Sequence, residues 1–322
     1  MKSWKIMNIL LCIDDFKWDY MRHCAVTILS LLETNKNHRI KIFIMSSCLS
    51  EENIKELKRI VDLYNQEIEF IIRENFIPKE IKESVINRRN LTWWTWYRLF
   101  FPNYINNIDR LLYIDCDVLI MKDIGRIYNM DTKWKAIVWY YDIDVTRFIS
   151  EYNFQLKQYI NAGVLLINVE KFSGYNITKN LIEDINKKYW KWIDNSDQDY
   201  LNIIFQDDVY VYKKWMNYRI TSKFFNTWLN DAEIVHCLNK PYIQYSNIPK
   251  KLVNLYYKYL NLTKRKWYPE QKANYWYFMH MYIFVRNFCF YWLIRLLWNK
   301  ITKKIFNFVL KTITFVKHFF HL

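Results

Sequence analysis

Two short apolar runs in this chain end in paired carboxylates, and this pattern constrains the fold more than any other feature. Ile9-Leu10-Leu11-Cys12-Ile13 runs into Asp14-Asp15, and Leu111-Leu112-Tyr113-Ile114 runs into Asp115-Cys116-Asp117. Runs of this length, bounded by polar residues, read as strands buried on both faces. Residues 40–45 and 68–72 read as further strands. Residues 20–33 have helical spacing, with Cys24, Ile28, Leu31 and Leu32 on one side, and Ser50 caps a helix with Glu51 and Glu52 in its first turn. Alternating strands and helices predict an α/β fold with a doubly wound, mostly parallel sheet. Such sheets bind ligands at the carboxyl ends of their strands, so the two acidic strand ends point into one crevice.

Side chains two residues apart on an extended backbone point to the same side. Asp115 and Asp117 could therefore converge on a hard divalent cation, which prefers oxygen ligands and could neutralise a diphosphate. The plainer alternative is a pair of exposed turn carboxylates. His236 follows another short apolar run, Ile234-Val235. A lone histidine is more often structural than a ligand, but imidazole suits Mn²⁺ in a mixed oxygen and nitrogen site.

The second half continues with a strand over residues 136–140 ending near Asp142, and another over 162–168 opened by Asn161-Ala162-Gly163. The chain has only 3 glycines. Gly163 is either a simple strand entry or a place where backbone approaches a ligand closely, with the Asn161 amide beside it. Residues 92–101 read as an aromatic helix stopped by Pro102, and residues 176–192 as another helix. Asp197-Gln198-Asp199 opens a helix through residue 204. These acids either cap that helix or set a carboxylate and a neutral amide beside a reacting sugar carbon.

Taken in order, these strings resemble glycosyltransferase family 8, the retaining family of the bacterial lipopolysaccharide galactosyl- and glucosyltransferases and glycogenin. The strings are the run into Asp14-Asp15, Tyr97-Arg98-Leu99, the run into Asp115-Cys116-Asp117, Asn161 through Asn168, Asp197 through Asn202, and His236 through Lys240-Pro241. The resemblance implies a GT-A type, Rossmann-like catalytic domain and transfer of a hexose from UDP-galactose or UDP-glucose. It implies Asp115, Asp117 and His236 as ligands of Mn²⁺ (or Mg²⁺), and Asp14, Asp15, Arg98, Asn161 and Lys240 as donor-binding residues. It implies Asp142, Asp197 and Gln198 as catalytic residues near the reacting sugar carbon. The stretch His236-Cys237-Leu238-Asn239-Lys240 is shorter than the family pattern and lacks its glycine, which affects Lys240 most. Phe16 also stands where some relatives have a polar residue.

Lys and Arg outnumber Asp and Glu by 47 to 32, giving a net charge of +15. Residues 271–322 carry eight Lys or Arg and no acid. Ile301, Ile305, Phe308, Thr312, Val316 and Phe319 recur at helical spacing, opposite most of the lysines, as in an interfacial amphipathic helix. Arg286 interrupts the aromatic stretch before it, which argues against a spanning helix. The expected organisation is a catalytic domain over 1–250 and a basic aromatic tail over 251–322. The tail is expected to lie peripherally on the anionic, cytoplasmic face of the inner membrane and to suit a lipid-linked glycan acceptor. The first apolar run is expected to be a strand rather than a signal peptide, and the six scattered cysteines to be reduced thiols in the cytosol. The competing reading is a basic aromatic nucleic-acid- or membrane-binding protein without transferase turnover. The acidic crevice opposes nucleic acid as a partner.

Overall fold

A computed structural model describes residues 6–15, 20–88, 91–140, 159–212, 217–219, 232–236 and 249–264. The first part alternates as expected: β1 (Met7–Cys12), α1 (Tyr20–Thr34), β2 (Ile40–Ser46), α2 (Glu51–Asp62) and β3 (Glu67–Ile72); a short α3 (Lys79–Ser84) follows. The aromatic stretch is a 3₁₀ turn (Trp93–Trp96), α4 (Tyr97–Phe100) and a second 3₁₀ turn (Phe101–Asn103), leading to β4 (Arg110–Ile114) and β5 (Val118–Ile120). Pro102 sits in the first turn of that second 3₁₀ segment, where its missing N–H costs no bond, so the helical path shifts rather than stops. Then come α5 (Gly125–Tyr128), β6 (Ile137–Tyr140), β7 (Val164–Asn168), α6 (Val169–Ser173), α7 (Lys179–Tyr189) and α8 (Asp197–Ile204). The described chain ends with β8 (Val209–Tyr212), β9 (Asn217–Arg219), β10 (Ile234–His236) and α9 (Lys250–Leu260).

Seven strands form one sheet in the order β3-β2-β1-β4-β7-β6-β8. All neighbours pair in parallel except β7, which runs antiparallel to both β4 and β6. Apolar run length does not encode strand direction, so the sequence could not reveal this reversal. Its effect is large. The start of an antiparallel strand lies beside the end of its neighbour, so Asn161-Ala162-Gly163 meets Asp115 at the end of β4. A second, small sheet has the order β5-β10-β9, with β10 antiparallel to β5 and His236 in register with Val118.

α1 is buried from Met21 to Leu32, not along one side only. It is sandwiched because β5, α2 and α9 all pack on it. Leu252, Tyr256 and Tyr259 form the buried face of α9, and the Tyr256 hydroxyl lies 2.8 Å from His23 Nδ1. Past α9, the Lys264 N–H donates to Glu56 on α2 at 2.8 Å. The Ser50 cap of α2 is present, its hydroxyl accepting from the Asn53 N–H at 3.4 Å. Among the described residues, no helix is long and apolar enough to cross a membrane.

Candidate active site

The polypeptide leaves β4 at Asp115, turns through Cys116 and Asp117, and enters β5. The Asp115 N–H donates to the Gly163 carbonyl at 2.8 Å, which fixes the turn to the start of β7. Cys116 is buried and its thiol points toward the Cys12 carbonyl at 3.6 Å, so it is a packed spacer between the two acids. Burial pushes that thiol's pKa well up. The pairing of β10 with β5 brings His236 over the turn. Its Nε2 stands 3.2 Å from Asp117 Oδ1 and 3.7 Å from Asp115 Oδ2.

Three observations fit this cluster to a divalent cation. One ligand atom from each of Asp115, Asp117 and His236 lies within 4.8 Å of the others. Adjacent ligands of an octahedral ion bound at about 2.1 Å stand about 3 Å apart, close to the spacings here. Asp117 Oδ1 is buried and accepts no hydrogen bond. In addition, a methyl group added at Gly163 would lie 2.1 Å from His236 Cε1 and 2.7 Å from Asp115 Oδ2. Gly163 has no positive φ, so it is required for space rather than for backbone freedom. Two carboxylates and an imidazole form a mixed oxygen and nitrogen donor set able to hold a divalent metal ion.

Arg98 is the hub behind this cluster. It is 4% exposed. Its Nε donates to the Thr95 carbonyl at 2.6 Å, and its Nη1 to the Ala162 carbonyl at 2.5 Å and to Asp115 Oδ1 at 3.2 Å. Nη2 pairs with Asp197 Oδ2 at 3.0 Å, and the guanidinium lies 4.5 Å from the centre of the Tyr113 ring. Burial works against its charge, but Tyr113, Asp115 and Asp197 more than offset this and hold its pKa above the ordinary value. Arg98 thus joins Asp115 to the helix that carries Asp197 and Gln198.

At that helix, Asp197 accepts from the Thr95 hydroxyl at 2.7 Å while pairing with Arg98. Burial pushes its pKa up, and Arg98 and Thr95 pull it only part of the way back. Gln198 is held at both ends of its amide. Its Oε1 accepts from Asn161 Nδ2 and from the Ala162 N–H, both at 3.1 Å, and its Nε2 donates to the Tyr159 hydroxyl at 2.9 Å. Tyr159 in turn donates to Asp199, whose other oxygen accepts the Asp194 and Asn195 N–H groups. Ser196, just before α8, holds φ 50° and ψ −124°. The left-handed region is costly for a non-glycine residue. The Trp96 indole N–H anchors it by donating to its hydroxyl at 2.9 Å.

Asp14 lies two residues past β1 and is buried. Its carboxylate accepts from the Tyr97 hydroxyl at 2.9 Å and the Ser47 N–H at 2.5 Å. It borders a cavity of about 280 Å³ lined also by Ser47, Lys82, Trp93, Trp94 and Tyr97. Asp15 turns the other way, accepting from Asn53 Nδ2 at 2.6 Å and from the Ser50 N–H at 3.2 Å, so it ties β1 to the start of α2.

The sequence profile described as Glycosyl transferase family 8 matches residues 8–242, which include all of these groups. The chain belongs to glycosyltransferase family 8. This family 8 enzyme is 28% identical over 221 residues to general stress protein A of Bacillus subtilis (strain 168), spanning 67% of this chain and 75% of that protein. It is 24% identical over 262 residues to a lipopolysaccharide 1,2-glucosyltransferase of Escherichia coli, spanning 74% of each. The crystal structure of the galactosyltransferase LgtC in complex with donor and acceptor sugar analogs superposes with a TM-score of 0.65. That match has 20% identity, covers 82% of this chain and 98% of that one, and bears on the fold alone.

Of the residues expected at the site of this glycosyltransferase, Asp115, Asp117, His236, Arg98, Asn161, Asp197 and Gln198 are linked by the contacts above. Asp142 and Lys240 lie outside the described residues. Sequence reasoning missed Tyr113, Tyr159 and Thr95. Tyr113 donates to Asp115 Oδ1 at 2.5 Å. Its position two residues before Asp115, on the same side of the strand, was the available signal. Thr95 and Tyr159 carried no comparable signal, because their partners are far away in sequence.

Proposed function

We propose that this enzyme transfers a hexose, galactose or glucose, from a UDP-sugar to a cell-surface glycan, with retention at the sugar carbon and with the help of a divalent metal ion. The observation that carries the reading is the convergence of Asp115, Asp117 and His236 beside a doubly anchored Gln198. Those three residues would hold Mn²⁺ or Mg²⁺. When bound, such an ion supplies positive charge opposite the diphosphate of the leaving UDP. Asp14 and the adjoining aromatic cavity suit the nucleoside.

The surroundings of Gln198 and Asp197 favour reaction on one face of the sugar. Gln198 is a neutral amide whose oxygen already accepts two hydrogen bonds. Asp197 is fixed between Arg98 and Thr95. Neither is placed as a free nucleophile for a covalent double displacement. In the alternative, the bond from the sugar carbon to the diphosphate oxygen breaks and the acceptor oxygen bonds to that carbon from the same side. The acceptor's proton passes to the departing diphosphate. Gln198 and Asn161 then serve to orient the sugar.

The test is calorimetric binding of UDP, followed by release of UDP from a panel of UDP-sugars. UDP affinity is expected to fall roughly tenfold or more in chelator and in Asp115→Asn, the worth of one interaction with a charged group. Equal UDP affinity under all three conditions would remove the metal assignment, and no turnover with any UDP-sugar would remove the hexosyl reading.

The basic residues beyond 270 support attachment at the cytoplasmic face of the inner membrane, near a lipid-linked acceptor such as lipopolysaccharide. At about 1 kcal/mol per basic residue near anionic lipid, full-length protein is expected to sediment with anionic vesicles and to be released by salt. Full-length protein that ignores anionic vesicles at low salt would overturn this attachment.

A further inference from the structure

The turn that presents Asp115 and Asp117 is gripped by one polar stripe on a buried helix. Tyr20, Thr27 and Ser30 recur on α1 at spacings of seven and three, which place them along one side. The Tyr20 hydroxyl donates to Asp117 Oδ2 at 3.2 Å. The Thr27 hydroxyl lies 2.8 Å from the Cys116 carbonyl and 2.7 Å from the Val118 carbonyl, the two carbonyls on either side of Asp117. Ser30 continues the grip, its hydroxyl accepting from the Ile120 N–H at 3.0 Å and donating to the Thr27 carbonyl at 2.8 Å. Thr27 and Ser30 are almost fully buried, so water does not substitute for these bonds. The oxygen of Asp117 that faces His236 is Oδ1, and Tyr20 holds the other one.

We propose that Tyr20 and Thr27 are positioning residues for the metal site: Tyr20 sets the rotation of the Asp117 carboxylate, and Thr27 sets the backbone that carries it. This inference rests on the metal reading of Asp115, Asp117 and His236. The groups behind metal ligands fix ligand orientation, and losing one typically weakens metal binding by about 10- to 100-fold. Tyr20→Phe removes one hydroxyl at the helix start and leaves the ring. Thr27→Val keeps the shape of the side chain and removes the donor to both carbonyls. Thr27→Ser restores the hydroxyl.

The experiment is titration of the full-length protein with Mn²⁺ alone, reading free Mn²⁺ by electron paramagnetic resonance, with thermal melting of each variant in parallel. Tyr20→Phe and Thr27→Val are expected to bind Mn²⁺ about 10- to 100-fold more weakly than wild type, and Thr27→Ser within a few-fold of it. If Thr27→Val does not fold, Tyr20→Phe alone decides the outcome. Wild-type affinity in a folded Tyr20→Phe would overturn the proposal while leaving the metal site intact. A wild-type protein that binds no Mn²⁺, or binds it no better than Asp117→Asn, would overturn the metal reading and this inference with it.

Discussion

Arg98→Met is expected to lower the unfolding free energy by about 3–5 kcal/mol, the usual consequence of removing one partner from a buried ionic network. Arg98 is the cation between Asp115 and Asp197, and it also satisfies the carbonyls of Thr95 and Ala162. Methionine would fill much of the volume but leave Asp197 buried without its counter-charge. Burial already pushes the Asp197 carboxyl upward, so the variant is expected to relieve part of the cost by protonating it. Arg98→Lys keeps a charge but cannot reproduce a planar fork that reaches four acceptors, and is expected to recover only part of the loss. Urea unfolding of the three proteins checks this. A methionine variant within about 1 kcal/mol of wild type would show that the hub is dispensable for stability.

Gly163→Ala is expected to reduce turnover by about a hundredfold or more while the protein still folds. The added methyl would overlap His236 and crowd Asp115, so one of these two groups must move. Displacements of about 1 Å in a reacting constellation commonly cost this much in rate. The stability cost is expected to be smaller, about 1–3 kcal/mol, as in other overpacked interiors. Assay of UDP release beside a thermal melt separates the two effects. Wild-type turnover in Gly163→Ala would mean that His236 need not occupy its observed place during catalysis.

Much of the frame was legible in the sequence, because long-range burial leaves local marks there. Apolar runs marked β1, β2 and β4, the acids marked the ends of β1 and β4, and Ser50 marked the start of α2. Asp115 and Asp117 were legible as a pair because only one residue separates them. The tie to His236 was not legible from spacing and came through family resemblance, since β5 and β10 are three residues each and too short for any periodicity. The direction of β7 was hidden for a related reason: pairing is a relation between strands, and neither strand alone carries it. Gly163 reads from the sequence as either a strand entry or a close approach to a ligand; in the fold it directly precedes β7, and an added methyl there would meet His236 and Asp115. The resemblance makes Arg98 a donor-binding residue, and in the fold its guanidinium also holds Asp115 and Asp197. Only tertiary contacts could reveal that. β7 starts inside its expected range because residues 162–163 lie in a turn, and α7 is shorter than expected because Thr178 caps its start and residues 190–192 form a turn.

The place of β10 in the chain has a consequence for biosynthesis. Asp115 and Asp117 leave the ribosome more than a hundred residues before His236. At roughly 5–20 residues per second, roughly 6–24 s separate the two events. During that interval the acids sit at the tip of a nascent strand, with β5 still lacking the neighbour that will close over it. An ion that needs all three groups cannot be captured until most of the polypeptide exists, so a prematurely terminated product would carry the acidic turn without being able to sequester metal through it.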